Sequence, residues 1–250
     1  MRRFHCPWVL LISLIFSAHT AVWADELEPK AVTALEQMGG YLRSLQQFRI
    51  DAYSHTDQVL DNGQTVEFSH RTRLVAMQPD KLQVSVESDV ERRSLFYNGK
   101  SFTLYDNRSG YFANQAAPAN IGALLDQLSE RYGIELPLAD LFRWSPGTAK
   151  EVGISNAVLI GSETIDGQTC THYAYRQPDI DWQLWIRQGS QPLPCRLVIS
   201  RRDTAEHPRH SVNYLWQLNS APKPADFEFT PPAGARAVPL QQLQPQGDQP

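Results

Sequence analysis

Three short constellations carry residue types that could do chemistry. His207-Pro208-Arg209-His210 sets two imidazoles three residues apart, and neutral imidazole is a common metal ligand. Asp179 and Asp181 form a candidate paired-carboxylate site. Cys170 and His172 are two apart, so on a strand they share a face, as a cysteine–histidine nucleophile requires. Each has a plainer alternative. The histidines lie among Arg201, Arg202, Asp203 and Glu206 with no third ligand in view, as in an exposed turn between strands. The aspartates suit a solvated hairpin loop. A cysteine in an oxidising compartment is paired or inert. The chain has no G-x-S-x-G elbow, P-loop, H-E-x-x-H or zinc-type cysteine cluster. No catalytic residue, metal ligand or cofactor site is therefore assigned, and the expectation is a protein that is not an enzyme.

The aromatic residues give a different pattern. Trp182, Leu184 and Ile186 share one strand face; Val212, Tyr214, Trp216 and Leu218 share another. Trp185 and Leu215 put apolar groups on the opposite faces of the same strands, so both faces are at least partly covered, or one lines a cavity. Two readings stay open. Large aromatics dominate ordinary cores, and the same residues could line a ligand pocket. In that second case Trp182, Leu184, Tyr214 and Trp216 are the ligand-binding candidates.

These side chains need a scaffold, and its elements are legible. Ala31, Leu35, Met38, Leu42 and Leu45 fit one face of a helix over 27–45, weakened at Gly39-Gly40. From Phe48 the period becomes two, and turn residues at Asp61-Asn62-Gly63, Pro79-Asp80 and Asn98-Gly99 punctuate an antiparallel meander that runs to Ala113. Ile121, Leu124, Leu125 and Leu128 restore helical spacing up to Gly133, and Leu138–Trp144 suggests a second short helix. Strands resume at Ala157–Ile165, turn at Asp166-Gly167 and continue to Ser211–Leu218. About eleven strands, a leading helix and a helical insert predict one α+β domain, a strongly curved antiparallel half-barrel over 25–239. Curvature limits exposed sheet edges, and the helices must cover one face as a lid. Residues 240–250, rich in Pro and Gln, are expected to form a flexible tail.

The N-terminus reads as an export signal. Met1-Arg2-Arg3 is followed by an apolar stretch from Val9 to Phe16 and the small-residue site Ala21-Val22-Trp23-Ala24, with cleavage expected after Ala24. Cys6 precedes the apolar stretch and leaves with it. Of 23 basic residues Arg2 and Arg3 are lost, so the mature chain carries 21 against 27 acidic, a net charge of −6. That balance argues against nucleic acid as a partner. No apolar run reaches the roughly 18 residues of a membrane span, although a peripheral encounter with a membrane stays open. Cys170 and Cys195 remain, and with no other thiol to pair with, a bridge between them is the first expectation. Strand geometry opposes it. In a simple meander the Trp182 strand lies between the two, and two spacings of about 4.8 Å exceed the roughly 7 Å Cα limit. A loop after Pro194 could fold Cys195 over the sheet end.

Asp181-Trp182-Gln183-Leu184-Trp185-Ile186, followed by Pro192-Leu193-Pro194 and Leu197-Val198-Ile199, resembles a strand pair of an exported bacterial family, domain of unknown function 2092. Asp166-Gly167 with Cys170–Arg176 fits the same pattern, as does the ending Asp226-Phe227-Glu228-Phe229-Thr230-Pro231-Pro232-Gly234, interrupted by Ala233. That family is similar to the LolA/LolB-like lipoprotein carriers. The resemblance implies a half-open barrel with a helical lid, and as partner an acyl chain, lipid or lipoprotein. A protein-binding or regulatory module with a filled barrel is the alternative. Intact-mass measurement of periplasmic material should show loss of Met1–Ala24 and a chain beginning at Asp25. A retained segment or an attached lipid would overturn the export reading.

Overall fold

In the computed structural model, described over residues 27–144 and 147–243, one open sheet organises the chain. Helix α1 (Pro29–Ser44) leads into strands β1 (Gln47–Val59), β2 (Thr65–Met77), β3 (Lys81–Glu87), β4 (Arg92–Tyr97), β5 (Ser101–Asp106) and β6 (Tyr111–Ala116). Helix α2 (Ile121–Tyr132), a 3-10 turn at Ala139–Phe142 and the one-turn helix α3 (Thr148–Glu151) form the insert. Strands β7 (Asn156–Ile165), β8 (Gln168–Arg176), β9 (Ile180–Arg187), β10 (Pro194–Arg201) and β11 (Arg209–Gln217) follow, and a second 3-10 turn (Pro224–Phe227) precedes β12 (Arg236–Ala237). The order across the sheet is β12-β6-β5-β4-β3-β2-β1-β11-β10-β9-β8-β7. Two sequential meanders thus meet where β1 pairs with β11, and the sheet curves without closing. The eleven alternating strands expected from the sequence are all present. The twelfth has two residues, lies parallel to β6, and has no alternation of its own to announce it. The expected signal segment lies outside the described residues, as do residues 244–250 of the expected tail.

The register places apolar side chains in rows on the concave face. One row runs Trp216–Ile50–Leu74–Val84–Leu95–Leu104–Ala113 across seven strands. The next runs Phe48–Ala76–Leu82–Tyr97–Phe102. Helices α1 and α2 lie over this face because each has one apolar stripe to bury. Ala31, Leu35, Met38 and Leu42 are buried from α1, and Ile121, Leu124, Leu125 and Leu128 from α2. Gly39 is needed for close approach, since a Cβ there would lie 3.2 Å from the Trp144 Cβ. The buried Tyr175 hydroxyl donates to the Ala31 carbonyl at 3.0 Å and ties α1 to β8. The Asn120 side chain accepts from the Ala123 N–H at 2.8 Å and caps α2, which ends at Gly133 with φ 63°.

Cys170 and Cys195 are bonded in the structure although β9 does separate their strands. A register shift between Pro194 and Arg196 leaves Cys195 bulged out of the β9–β10 ladder, and the Cα atoms come to 6.7 Å. The bridge packs with Ile165, Trp185 and Val198 in a small cluster of its own, separate from the main core. Denatured, unreduced protein lacking residues 1–24 should show no free thiol. Replacing both cysteines with alanine should cost about 3–4 kcal/mol in denaturant unfolding, the loop-closure value for this separation. Two free thiols in the wild-type chain would refute the bridge.

Candidate ligand-binding cavity

A cavity of about 910 Å³ lies between the concave face of the β1–β6 half and the segment that follows α2. Its floor is apolar: Val84, Leu95, Leu104 and Ala113 come from the row described above, joined by Val86 and Val212. Ile134, Leu136, Pro137 and Leu138 cover it, between α2 and the first 3-10 turn. The chain's last described stretch forms one wall. It passes β6 as β12, contributes Val238 and Leu240, and ends with the Leu243 N–H donating to the Arg131 carbonyl at 2.7 Å. The cavity's polar lining includes Glu91, just before β4, and Ser109, between β5 and β6.

The polar rim has definite geometry. Arg93 Nη1 is 3.0 Å from Glu91 Oε1, and Arg93 stands directly opposite Asp106 across β4 and β5. The Asp106 carboxylate accepts backbone N–H groups from Ser109 (3.2 Å) and Arg108 (2.9 Å), which holds its pKa below the usual carboxylate range. On the other side His210 Nδ1 and Thr56 Oγ1 are 2.8 Å apart, with His70 nearby on β2. Burial lowers the His210 pKa, with the neighbouring His70 acting in the same direction and the Asp140 carboxylate opposing them. Thr72, 2% exposed, is buried where floor meets rim.

The four aromatic and aliphatic candidates lie elsewhere. Trp182, Leu184 and Tyr214 are buried in the main core, with Trp216 packed against it, and none lines the large cavity. Trp182 stacks on Tyr175 with centroids 4.2 Å apart and meets Trp144 at 5.7 Å. Trp216 packs on Phe48 at 5.4 Å and donates its indole N–H to the Pro194 carbonyl at 2.8 Å. The Tyr214 phenol, desolvated by burial, has its pKa raised. Tyr214 and Trp216 do border a second pocket, of about 120 Å³, beside Cys195. On this face Trp182 meets Trp144, and Trp216 meets Phe48, which in turn stacks on Phe142.

The chemical candidates also separate. His207 sits in the β10–β11 turn with Nδ1 2.9 Å from the Arg201 carbonyl, whereas His210 turns to the concave face, so the two rings do not converge. Arg176 clamps Asp181 with contacts of 2.7 and 2.9 Å and depresses its pKa, leaving no free carboxylate pair with Asp179. Cys170 is bridged, and His172 stacks flat on Trp185 at 3.9 Å with Nε2 3.0 Å from Gln183 Oε1. Sequence reading missed the cavity because its floor residues look like any strand core. The available signal was polar residues in phase with that core: Thr72 two before Leu74, Arg93 two before Leu95, and Asp106 two after Leu104.

No curated protein matches the chain. Among solved structures, an uncharacterised conserved protein from Thermus thermophilus is 12% identical, covering 84% of this chain and 99% of that one, with a TM-score of 0.48. The Mycobacterium tuberculosis lipoprotein LppX is 13% identical over 76% and 95% of the two chains, with a TM-score of 0.38. A LolA superfamily protein from Nitrosomonas europaea is 14% identical over 80% and 97%, with a TM-score of 0.39. The family model described as "Predicted periplasmic protein (DUF2092)" matches residues 31–241, from within α1 to the cavity wall after Leu240. The chain belongs to that family of predicted periplasmic proteins.

Proposed function

We propose that this protein is an exported, non-catalytic carrier or sensor of a hydrophobic ligand: an acyl chain, a lipid or the acylated end of a lipoprotein. The observation that carries the reading is the cavity of about 910 Å³ with an apolar floor and a polar rim. That size falls at the upper end of the ~300–1,000 Å³ typical of small-molecule pockets. Each methylene moved from water onto the floor contributes roughly 0.8 kcal/mol. Ten would give about 8 kcal/mol before the cost of immobilising the ligand is subtracted. Micromolar binding, about −8 kcal/mol net, therefore needs a longer chain or polar contacts at the rim as well. The segment from Ile121 to Trp144, with α2 and the first 3-10 turn at its ends, is the lid. The N-terminal signal, cleaved after Ala24, delivers the protein to the periplasm.

The rival reading, a protein-binding module with a filled barrel, is favoured by the packed aromatics of the β8–β11 half and opposed by the open β1–β6 half. One pair of variants separates the two. Val86→Trp should fill the cavity and weaken a fluorescent acyl probe at least tenfold with little change in melting temperature. Trp216→Ala should cost roughly 3–5 kcal/mol of stability and leave probe affinity of the folded fraction near wild type. Mass spectrometry of native protein should detect co-purified lipid. Wild-type protein that binds no acyl probe and carries no lipid would sink the carrier reading in favour of the module.

A further inference from the structure

We infer that the cavity selects an amphiphile with a neutral or cationic headgroup and discriminates against a free carboxylate. This rests on the carrier reading, because it concerns the headgroup of a ligand whose chain lies on the apolar floor. The floor carries no charge, so a bound chain puts its headgroup at the rim. Charged groups lining the cavity are Glu91, Arg93, Asp106 and Glu135. Arg93 is the one lysine or arginine among these lining residues, and it is already engaged, bonded to Glu91 and facing Asp106. Asp106 stays ionised through its two backbone N–H donors. Glu135, on the lid, accepts the Ser129 hydroxyl. With both histidines counted as neutral, three carboxylates stand against one guanidinium, a local charge of −2.

Groups of both signs stand just outside the lining. Arg108 turns its guanidinium to the Val90 carbonyl, and Asp140 adds a carboxyl near His210. An incoming carboxylate would therefore meet like charge without a free cation among the lining residues to receive it. The rim is open to water, so the repulsion is screened and the discrimination is moderate, about tenfold. A neutral glycerol ester loses nothing there, and a quaternary ammonium gains.

Displacement of the neutral dye Nile red from mature protein at about pH 7.5, where carboxylates are ionised, tests the inference, with laurate, monolauroylglycerol and lauroylcholine as competitors below their aggregation limits. Monolauroylglycerol and lauroylcholine are expected to compete about tenfold better than laurate. The double variant Glu91→Gln/Asp106→Asn should improve laurate at least fivefold and shift monolauroylglycerol less than twofold. Asparagine at 106 keeps an acceptor for the turn, and if melting shows the double variant unfolded, Glu135→Gln on the exposed lid provides the same readout in smaller measure. Laurate equal to monolauroylglycerol on wild-type protein, or unmoved in folded variants, overturns the headgroup inference and leaves the carrier reading standing. Failure of Nile red and all three competitors to bind removes both.

Discussion

The pairing of β1 with β11 is the contact on which the rest of the molecule depends. It joins residues far apart in sequence, with Ile50 opposite Trp216 and Ala52 opposite Tyr214, and so fuses two meanders into one sheet. Without it each meander would present an extra open edge and a concave face too narrow to hold a helix. With it, Ile50 sits between Leu74 and Trp216, and the apolar rows run unbroken from one half to the other. The helices can then bury their stripes against a single surface. Loop-closure entropy opposes so distant a pairing, and burial of the apolar rows that the pairing completes acts against that cost.

The two halves of that sheet differ in what stands on the concave side. The β8–β11 half presents Tyr175, Trp182, Tyr214 and Trp216: Tyr175 meets Trp182, Tyr214 meets Trp216, and these pairs reach Trp144 and Phe48, with Phe142 stacked on Phe48. The β2–β6 half presents Leu74, Val84, Leu95, Leu104 and Ala113 at comparable positions in the ladder. The same lid spans both. Bulky rings pack the β8–β11 half, whereas over Val84, Leu95, Leu104 and Ala113, one row away from the buried Tyr97 and Phe102, shorter side chains leave space. The cavity is thus a consequence of side-chain volume on a common backbone, and no special loop is required to make it.

On the convex face a separate set of contacts holds the edge of the second meander. Trp185 lies between the His172 ring and the Arg196 guanidinium, and its indole N–H donates to Glu163 Oε2 at 2.6 Å. The disulfide is adjacent. Together they tie β7 and β8 to β9 and β10 without help from the main core. The first meander is covered differently: Phe229 packs against Phe96, Tyr105 and Phe112, at 5.1–5.4 Å, before the chain rounds the β6 edge. That path brings Val238 and Leu240 to the cavity wall.

Much of this was already determined by the amino-acid sequence. Alternation from Phe48 onward, the Asn-Gly and Asp-Gly turns and the stripes of α1 and α2 are local properties, set by neighbours within a few residues. They specify which segments become strands and helices and which faces are apolar. Three things required the tertiary structure. The bulge that lets Cys170 reach Cys195 depends on how β10 meets the end of β9, a relation between strands that neither strand encodes. The two residues of β12 become a strand only because β6 offers an edge. The choice of which apolar face is filled and which is left open turns on the summed volumes of side chains from many strands and the lid above them. Aromatic residues in strand phase pointed to Trp182 and Trp216, yet the size that made them conspicuous is what closes their half of the sheet. The space remains over Val84, Leu95 and Leu104, whose small volumes give no local sign of what they leave empty.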